Sequence, residues 1–267
     1  MTGAFRLDGQ VAVVTGALGR LGGVWSRALL DAGARVAALD RPGPEPDAAF
    51  AGLMRERELR LYRADVRERG ALLAARDAIR AELGVPAILV NNAGIDQPPS
   101  AGAGSWPLPE VPWEASRELL EVNALGAFQV AQVFGAEMLR EKTGSIINVG
   151  SLYASVSPDA RFYDHLAADP PFLKPPFYGA SKAALVNLTR YLATHWGPSG
   201  VRVNALSPGG VLGGQDAEFQ RKFCARVPLG RMAEEQDLVG PLLFLASAAS
   251  RYVTGIELRV DGGYTAW

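Results

Sequence analysis

The amino-acid sequence predicts a three-layer α/β fold, in which helices cover both faces of a doubly wound, mostly parallel sheet of seven strands. Short apolar runs alternate along the chain with longer amphipathic segments, and such alternation is typical of parallel sheets with helical crossovers. The apolar runs are rich in Val, Ile and Ala without polar alternation. This composition indicates strands that are buried on both faces.

The predicted elements follow from these two periodicities. Strands are predicted at residues 11–15, 35–40, 87–91, 145–149, 201–205 and 256–260, with a weaker one at 58–62. Helices are predicted near residues 20–33, 67–83, 113–140, 178–196 and 234–247. No internal repeat and no linker-like change in composition divides the chain, so we expect one domain over residues 1–267.

Two proline-rich stretches interrupt the alternation. Residues 96–112 are rich in Pro, Gly and Ser and are a predicted loop. Residues 154–177 contain five prolines and show neither helical nor strand periodicity. Loops longer than about 12–15 residues are usually functional or disordered, and the many aromatic residues in this one argue against disorder. We therefore expect residues 154–177 to form an ordered lid or substrate loop.

Composition and charge exclude several classes of protein. The chain is 48% hydrophobic and 21% charged, which is typical of a globular protein with a full core. Its net charge of -1 lacks the positive surplus that nucleic-acid binding needs. Cys224 has no second cysteine to pair with, and two histidines are too few to predict a zinc site. With no signal-like or membrane-spanning apolar run, we expect a cytoplasmic protein that does not bind membranes.

A glycine-rich turn follows the first predicted strand directly. Residues 15–22 read Thr-Gly-Ala-Leu-Gly-Arg-Leu-Gly and run into a predicted helix. Glycines there let the backbone approach a pyrophosphate, while the helix N-terminus offers unpaired N–H groups. Asp40 ends the second strand, where its carboxylate can accept hydrogen bonds from an adenosine ribose. Together these features predict a dinucleotide site, although the glycines alone would fit an ordinary tight turn.

Tyr178 and Lys182 form a second candidate pair. They are four residues apart in a predicted helix, which places both side chains on one face. An ammonium beside a phenol favours the phenolate and lowers the tyrosine pKa from its reference value of about 10. The pair predicts a general acid/base. On its own it also fits a surface Tyr and Lys on an amphipathic helix.

Further motifs lie between the glycine-rich turn and the Tyr178–Lys182 pair, and one more lies after the pair. The turn at Thr15 is followed by Asp65, Asn91-Asn92-Ala93-Gly94, Asn123, Ser151, Tyr178 with Lys182, and Pro208-Gly209. In this order and spacing the chain resembles the short-chain dehydrogenase/reductase family, in its short single-domain branch, over nearly its whole length. The resemblance implies a Rossmann fold and a nicotinamide-dependent oxidoreductase that interconverts a secondary alcohol and a ketone.

The resemblance also implies roles for the matching residues. Tyr178 would be the general acid/base, and Lys182 would lower its pKa and hold the nicotinamide ribose. Ser151 would position the substrate oxygen, and Asn123 would support a water relay to Lys182. The expected cofactor-binding residues are Thr15, Gly16, Gly19, Arg20, Leu21, Gly22, Asp40, Asp65, Val66, Asn92, Ala93, Gly94, Tyr178, Lys182, Pro208, Gly209 and Val211.

The expected cofactor is NAD rather than NADP, because the Asp40 carboxylate would repel a 2′-phosphate. Two arginines argue for NADP, since guanidinium pairs well with phosphate. These are Arg41 and Arg20, which stands where the family's middle glycine usually lies. The resemblance and the long predicted helices further imply a symmetric homo-oligomer, with a tetramer favoured.

The substrate expectation rests on the 154–177 loop, which separates Ser151 from Tyr178 by more residues than is common in the family. Arg161, Tyr163 and Lys174 in this loop predict a polar, sugar-like or sugar-acid-like substrate, because unpaired cations are costly to desolvate. These charges could instead solvate the outer face of the loop. Two other functions stay open, an NADPH-dependent 3-oxoacyl thioester reductase and a non-catalytic cofactor-binding protein.

Overall fold

A parallel sheet of seven strands organises the chain in the computed structural model, which describes residues 3–96, 106–166 and 169–267. The strand order is β3-β2-β1-β4-β5-β6-β7, and every neighbouring pair is parallel. The strands are β1 (Val11–Thr15), β2 (Arg35–Asp40), β3 (Leu59–Arg63), β4 (Pro86–Asn91), β5 (Gly144–Val149), β6 (Val201–Pro208) and β7 (Glu257–Val260). The predicted fold class is confirmed.

Eight α-helices occur in the described part of the chain. They are α1 (Arg20–Asp31), α2 (Ala48–Glu56), α3 (Arg69–Glu82), α4 (Trp113–Leu120), α5 (Ala127–Glu141), α6 (Pro176–Trp196), α7 (Ala217–Cys224) and α8 (Glu235–Ala246). The sequence predicted neither α2 nor α7, each of which begins after an aspartate that caps it, Asp47 and Asp216. It predicted one helix over 113–140, where a π-helical turn at Glu121–Gly126 separates α4 from α5.

Two hydrophobic cores cover the two faces of the sheet. Helices α1, α2 and α8 pack on one face around residues such as Trp25 and Leu242. Helices α3, α5 and α6 pack on the other around residues such as Phe134 and Leu192. Strand residues alternate between the two cores, and all five residues of β1 are buried. Burial on both faces is why the strands carry no polar alternation.

The strand order reverses between β1 and β4. From β1 the chain builds outward through β2 to β3, and then returns to β4 on the opposite side of β1. Ligands of such sheets bind outside the carboxyl ends of the strands where the order reverses. The residues that follow β1 and β4, from Gly16 and from Asn92 onward, are therefore placed at the expected ligand site.

A third group of buried residues, called here the aromatic cluster, lies apart from the two cores of the sheet. It joins the predicted loop to α7 and to the C-terminal turn. Its members are Leu152, Phe162, Tyr163, Phe172, Phe219, Phe223, Val227, Met232 and Tyr264. Ring centroids of Phe162 and Phe223 are 5.7 Å apart, so the described part of 154–177 is ordered by packing. Most of the loop predicted at 96–112 lies outside the described residues.

Candidate active site

A cavity of about 780 Å³ opens at the carboxyl ends of the central strands. Its volume lies in the range of ligand-binding clefts. Most of the predicted cofactor residues line it, contributed by the loops after β1 to β6. They are Gly16, Gly19, Arg20, Leu21, Asp40, Asp65, Val66, Asn92, Ala93, Gly94, Tyr178, Lys182, Pro208, Gly209 and Val211. The structure therefore brings together residues that are up to 195 positions apart in the sequence.

Thr15 and Gly22 shape the glycine-rich turn from behind the cavity wall. The Thr15 hydroxyl oxygen accepts hydrogen bonds from the backbone N–H groups of Asn92 and Ala93, at 3.1 and 3.0 Å. The Asn92 amide in turn donates to the carbonyls of Thr15 and Gly16. A Cβ atom on Gly22 would overlap the Gly16 carbonyl oxygen. Only glycine at position 22 thus lets α1 begin so close to the turn.

Two carboxylates, Asp40 and Asp65, line the end of the cavity beside β2 and β3, where the sequence predicts the adenosine ribose. Asp40 accepts from the backbone N–H groups of Leu18 and Arg41, at 2.8 and 2.9 Å. Asp65 pairs with Arg67 at 2.7 Å, and this guanidinium holds the pKa of Asp65 below its ordinary value. Asp40 is therefore fixed by backbone donors, whereas the charge of Asp65 is already compensated by a neighbouring side chain.

Arg20 lies against the N-terminus of α8. Its Nε atom is 3.0 Å from Glu235 Oε1, and its guanidinium also donates to the Leu212 carbonyl. A Cβ atom on Gly213 would overlap this guanidinium. The positive charge of Arg20 is thus already paired with a carboxylate, which weakens the sequence argument that it serves a 2′-phosphate.

Ser151, Tyr178 and Lys182 line the part of the cavity beyond β5. Tyr178 lies in the first turn of α6 and Lys182 one turn later, while Ser151 follows β5. The Ser151 side chain lies close enough to the Tyr178 hydroxyl to lower its pKa. Lys182 Nζ donates to the Val149 carbonyl at 2.8 Å and lies 6.0 Å from the Tyr178 ring centroid. A substrate oxygen placed between Ser151 and Tyr178 would meet both hydroxyls.

Burial controls the ionisation of this group. It raises the pKa of Tyr178 above its ordinary value, the negative charge of Asp96 raises it further, and the hydrogen bond to Ser151 acts in the opposite direction. Burial also lowers the pKa of Lys182 to about 8. Burial and Asp96 therefore dominate the pKa of the phenol in this arrangement, and its lowering by Lys182 stays a prediction.

Asn123 is fully buried in the π-helical turn and connects two segments of the site. Its Oδ1 accepts from the Ile95 N–H at 2.8 Å, and its Nδ2 donates to the Ile95 carbonyl and to the Ser181 hydroxyl, both at 3.0 Å. Ser181 donates to the Tyr178 carbonyl. Asn123 therefore couples the loop after β4 to the first turn of α6, and its role in a water relay stays a prediction.

The three predicted substrate residues have different positions. Arg161 pairs with Asp159 at 2.7 Å, and its side chain is 81% exposed. It does not line the cavity, so its prediction as a substrate residue is corrected: a carboxylate two positions away in the sequence holds it. Tyr163 is buried in the aromatic cluster, 4.8 Å from Phe172 between ring centroids. Lys174 is the one that reaches Tyr178, with Nζ 5.0 Å from the ring centroid.

Sequence reasoning missed one residue of the site. Asp96 lines the cavity with Ser151 and Tyr178 and forms an ion pair with Lys174. The sequence assigned it only to the start of a loop. Its position two residues after the Asn-Asn-Ala-Gly motif was the available signal, because residues that follow a central strand lie at the ligand edge of the sheet.

Known proteins similar to this chain are dehydrogenases. Residues 16–265 match a family model described as Enoyl-(Acyl carrier protein) reductase. The chain is 35% identical over 270 residues to D-threitol dehydrogenase of Mycolicibacterium smegmatis, covering 98% of this chain and 95% of that protein. It is 36% identical over 270 residues to the L-tagatose-forming galactitol 2-dehydrogenase of Cereibacter sphaeroides, covering 98% of both.

Two solved structures are similar over almost their whole length. A gluconate 5-dehydrogenase from Burkholderia cenocepacia, in complex with NADP and tartrate, gives a TM-score of 0.83 at 32% identity and covers 99% of this chain and 98% of that one. A short chain dehydrogenase from Leptospira borgpetersenii with bound NAD+ gives a TM-score of 0.85 at 30% identity, covering 99% and 96%.

Proposed function

The chain belongs to the short-chain dehydrogenase/reductase family, and on that premise we propose that it oxidises one secondary hydroxyl of a sugar alcohol to a ketone. The relatives confirm the predicted class, an NAD(P)-dependent oxidoreductase that acts on CH–OH groups of polyols or sugars. The observation that carries the proposal is that Ser151, Tyr178 and Lys182 line the same cavity as the glycine-rich turn.

Glycines let the segments that line the cavity pack closely, because a side chain at these positions would collide with a neighbouring segment. Gly16 has a φ of +60°, and a Cβ atom there would lie 2.8 Å from Ala93 Cα. Gly94 lies next to the Lys182 ammonium, because a Cβ atom on Gly94 would be 3.4 Å from Lys182 Nζ. Gly209 is similarly closed by Asp261. When bound, the nicotinamide supplies the hydride chemistry, and the protein supplies placement and proton transfer.

In the proposed mechanism Ser151 and Tyr178 handle the substrate oxygen. The Ser151 hydroxyl orients it. During oxidation Tyr178 Oη passes its own proton to the deprotonated amine of Lys182 and takes the proton of the substrate hydroxyl, and during reduction both transfers run in reverse. Lys182 lies between Gly94 and Val149, where its Nζ can hold the ribose hydroxyls and exchange a proton with Tyr178. Asn123 holds the two segments around Lys182 in place through its hydrogen bonds with the Ile95 backbone N–H and the Ser181 hydroxyl. Each step uses a group that already faces the cavity or supports one that does.

A panel of substrates tests this function. Galactitol, threitol, D-arabinitol and gluconate are supplied with NAD or NADP, and formation of reduced cofactor is followed by absorbance. We expect turnover of at least one polyol and a ketone as its product. A protein that leaves every polyol unchanged, but reduces a 3-oxoacyl thioester with NADPH, would contradict the proposal. The polyol interpretation is preferred because the similar proteins act, by their names, on sugar alcohols.

For the cofactor we propose NAD. The support is Asp40, whose carboxylate is held at the end of β2 by the N–H groups of Leu18 and Arg41 and lines the adenosine end of the cavity. A 2′-phosphate beside this carboxylate would meet a like charge. Fluorescence titration with NADH and NADPH gives the two dissociation constants. The Asp40→Asn variant should show a smaller difference between them, because its amide carries no charge. Tighter binding of NADPH by the unaltered protein would overturn this proposal.

A further inference from the structure

An ion pair beside Tyr178 joins the two loops that flank the reacting position. Lys174 Nζ lies 2.5 Å from Asp96 Oδ2 and 5.0 Å from the centroid of the Tyr178 ring. Asp96 follows β4 and Lys174 precedes α6, so the pair connects segments that are 78 residues apart. A substrate whose hydroxyl reaches Tyr178 therefore has its neighbouring carbon atoms close to this pair.

The two partners face the substrate differently. The Lys174 side chain is only 8% exposed and lines a second cavity of about 520 Å³, next to Tyr153 and Tyr163. The Asp96 side chain is 34% exposed and lines the larger cavity together with Ser151 and Tyr178. The ammonium is thus covered, whereas the carboxylate is presented to the reacting position. The negative charge of Asp96 reaches the reacting position. It adds to the rise in the pKa of Tyr178, and it offsets part of the decrease that burial causes in the pKa of Lys182.

We propose that Asp96 is a specificity-determining residue, whose carboxylate accepts hydrogen bonds from the hydroxyls beside the reacting carbon and selects uncharged polyols over sugar acids. This inference rests on the proposed function. Carboxylates only accept hydrogen bonds, and hydroxyls donate to them strongly. A substrate carboxylate in the same place would face a like charge, which disfavours its binding.

The inference revises the expected role of Lys174. The sequence predicted that this lysine meets an anionic group of the substrate, but its charge is already paired with Asp96. Arg161, the other predicted cation, pairs with Asp159 on the exposed side of its loop. Lys174 therefore acts by holding Asp96 in place and by offsetting part of its charge, and substrates without charge fit the site best.

The experiment compares galactitol with gluconate on the protein loaded with reduced cofactor, where polyol oxidation does not proceed and calorimetry gives both dissociation constants. We expect the unaltered protein to bind galactitol more tightly by at least about tenfold. Asp96→Asn, which keeps the shape and leaves Lys174 charged, should reduce this ratio by about tenfold or invert it. Lys174→Met should widen the ratio. Arg161→Ala is the matched control in the same loop and should leave it unchanged.

The outcomes separate the inference from the proposed function. An unchanged ratio in Asp96→Asn, a preference of the unaltered protein for gluconate, or no binding of either compound would overturn the role of Asp96. The expected ratios without oxidation of any polyol by oxidised cofactor would support that role and overturn the proposed function. The ratio of kcat/KM for the two compounds, measured on the same variants, should follow the ratio of dissociation constants.

Discussion

Tyr178 and Lys182 perform their proposed chemistry from a buried position, and each has a partner that depends on the fold. Tyr178 lines the cavity beside Ser151, and Lys182 donates to the Val149 carbonyl. Burial shifts the pKa of both groups toward their uncharged forms. The site therefore holds a neutral phenol, which can give its proton to a substrate oxygen directly but must lose that proton before it can accept one from a substrate hydroxyl.

Replacing Tyr178 by Phe keeps the ring and removes only the hydroxyl. We expect turnover to fall by about 10²–10⁴-fold, the usual contribution of a general acid/base, while cofactor affinity stays within about twofold because the hydroxyl, not the ring, is lost. Steady-state kinetics and a fluorescence titration with reduced cofactor measure the two quantities. Near-normal turnover in this variant would remove Tyr178 from its role.

Lys182 should make the stability of the protein depend on pH. Its pKa is lowered from 10.5 to about 8 in the folded protein. Between these values the unfolded chain binds more protons than the folded one, so the free energy of unfolding rises with pH. Relative to Lys182→Met, the unaltered protein should gain up to about 1.4 kcal/mol per pH unit in this window.

Urea unfolding of both proteins at several pH values between about 8 and 10.5 measures this difference, because the other titrating groups cancel. Below pH 8 the methionine variant should be the more stable one, since it buries no ammonium. Unfolding free energies that differ by the same amount at every pH would show that Lys182 is not desolvated.

Single residues differ in how far the sequence reveals them. Tyr178 and Lys182 were predicted as a pair because four positions on one helix fix their relative geometry. The ion pair of Arg161 is also local in the sequence, because its partner Asp159 is two residues away. The pairing of Lys174 with Asp96 was not, because contact across 78 positions depends on how two loops pack. Local geometry can be inferred from one sequence, and tertiary ion pairs cannot.

Among the helices and strands, those with long periodic patterns were predicted and the short ones were not. The five inner strands agree because burial on both faces leaves a pattern in the sequence, whereas the edge strands β3 and β7 are partly exposed. Helices α2 and α7 have nine and eight residues, too few for a clear amphipathic period. The π-helical turn at Glu121–Gly126 changes the hydrogen bonding without interrupting the helical pattern. The turn nevertheless matters for the site, because it contains Asn123, which is hydrogen-bonded to Ile95 and Ser181.

The start of α1 provides a matched pair of variants. A Cβ atom on Gly22 would overlap the Gly16 carbonyl oxygen and lie 2.6 Å from Ala17 Cα, both backbone atoms that cannot move without opening the turn. A Cβ atom on Gly23 meets nothing within 4 Å. We expect Gly22→Ala to lose about 1–3 kcal/mol of stability by overpacking and at least about tenfold in cofactor affinity.

Gly23→Ala should instead be neutral or gain about 0.5–1 kcal/mol, because alanine is the better helix former. Thermal unfolding and a titration with reduced cofactor compare the two variants directly. Equal behaviour of the two alanines would show that contact between α1 and the turn does not limit cofactor binding.

The whole molecule exposes apolar side chains along α4 to α6. Trp113 is 69% exposed, Leu125 61% and Tyr191 58%. Exposed apolar patches commonly mark interfaces, and most soluble homo-oligomers are symmetric. We therefore propose a homo-oligomer, with a tetramer favoured. Light scattering at micromolar concentration should give about four times the chain mass of 28.4 kDa, and a stable monomer would contradict this prediction.

The aromatic cluster gives the molecule a unit that can open on its own. Its residues come from the segment around 154–177, α7 and the C-terminal turn, and none of them belongs to the two cores of the sheet as described. A hydrogen bond of 2.8 Å between His165 and Asp216 also joins two of these elements at the surface. Local unfolding proceeds through such separate units at less cost than global unfolding. Amide hydrogens of α7 should consequently exchange with solvent earlier than those of β5 and β6, and breathing of this unit, rather than of the sheet, would set how quickly a substrate enters and a product leaves.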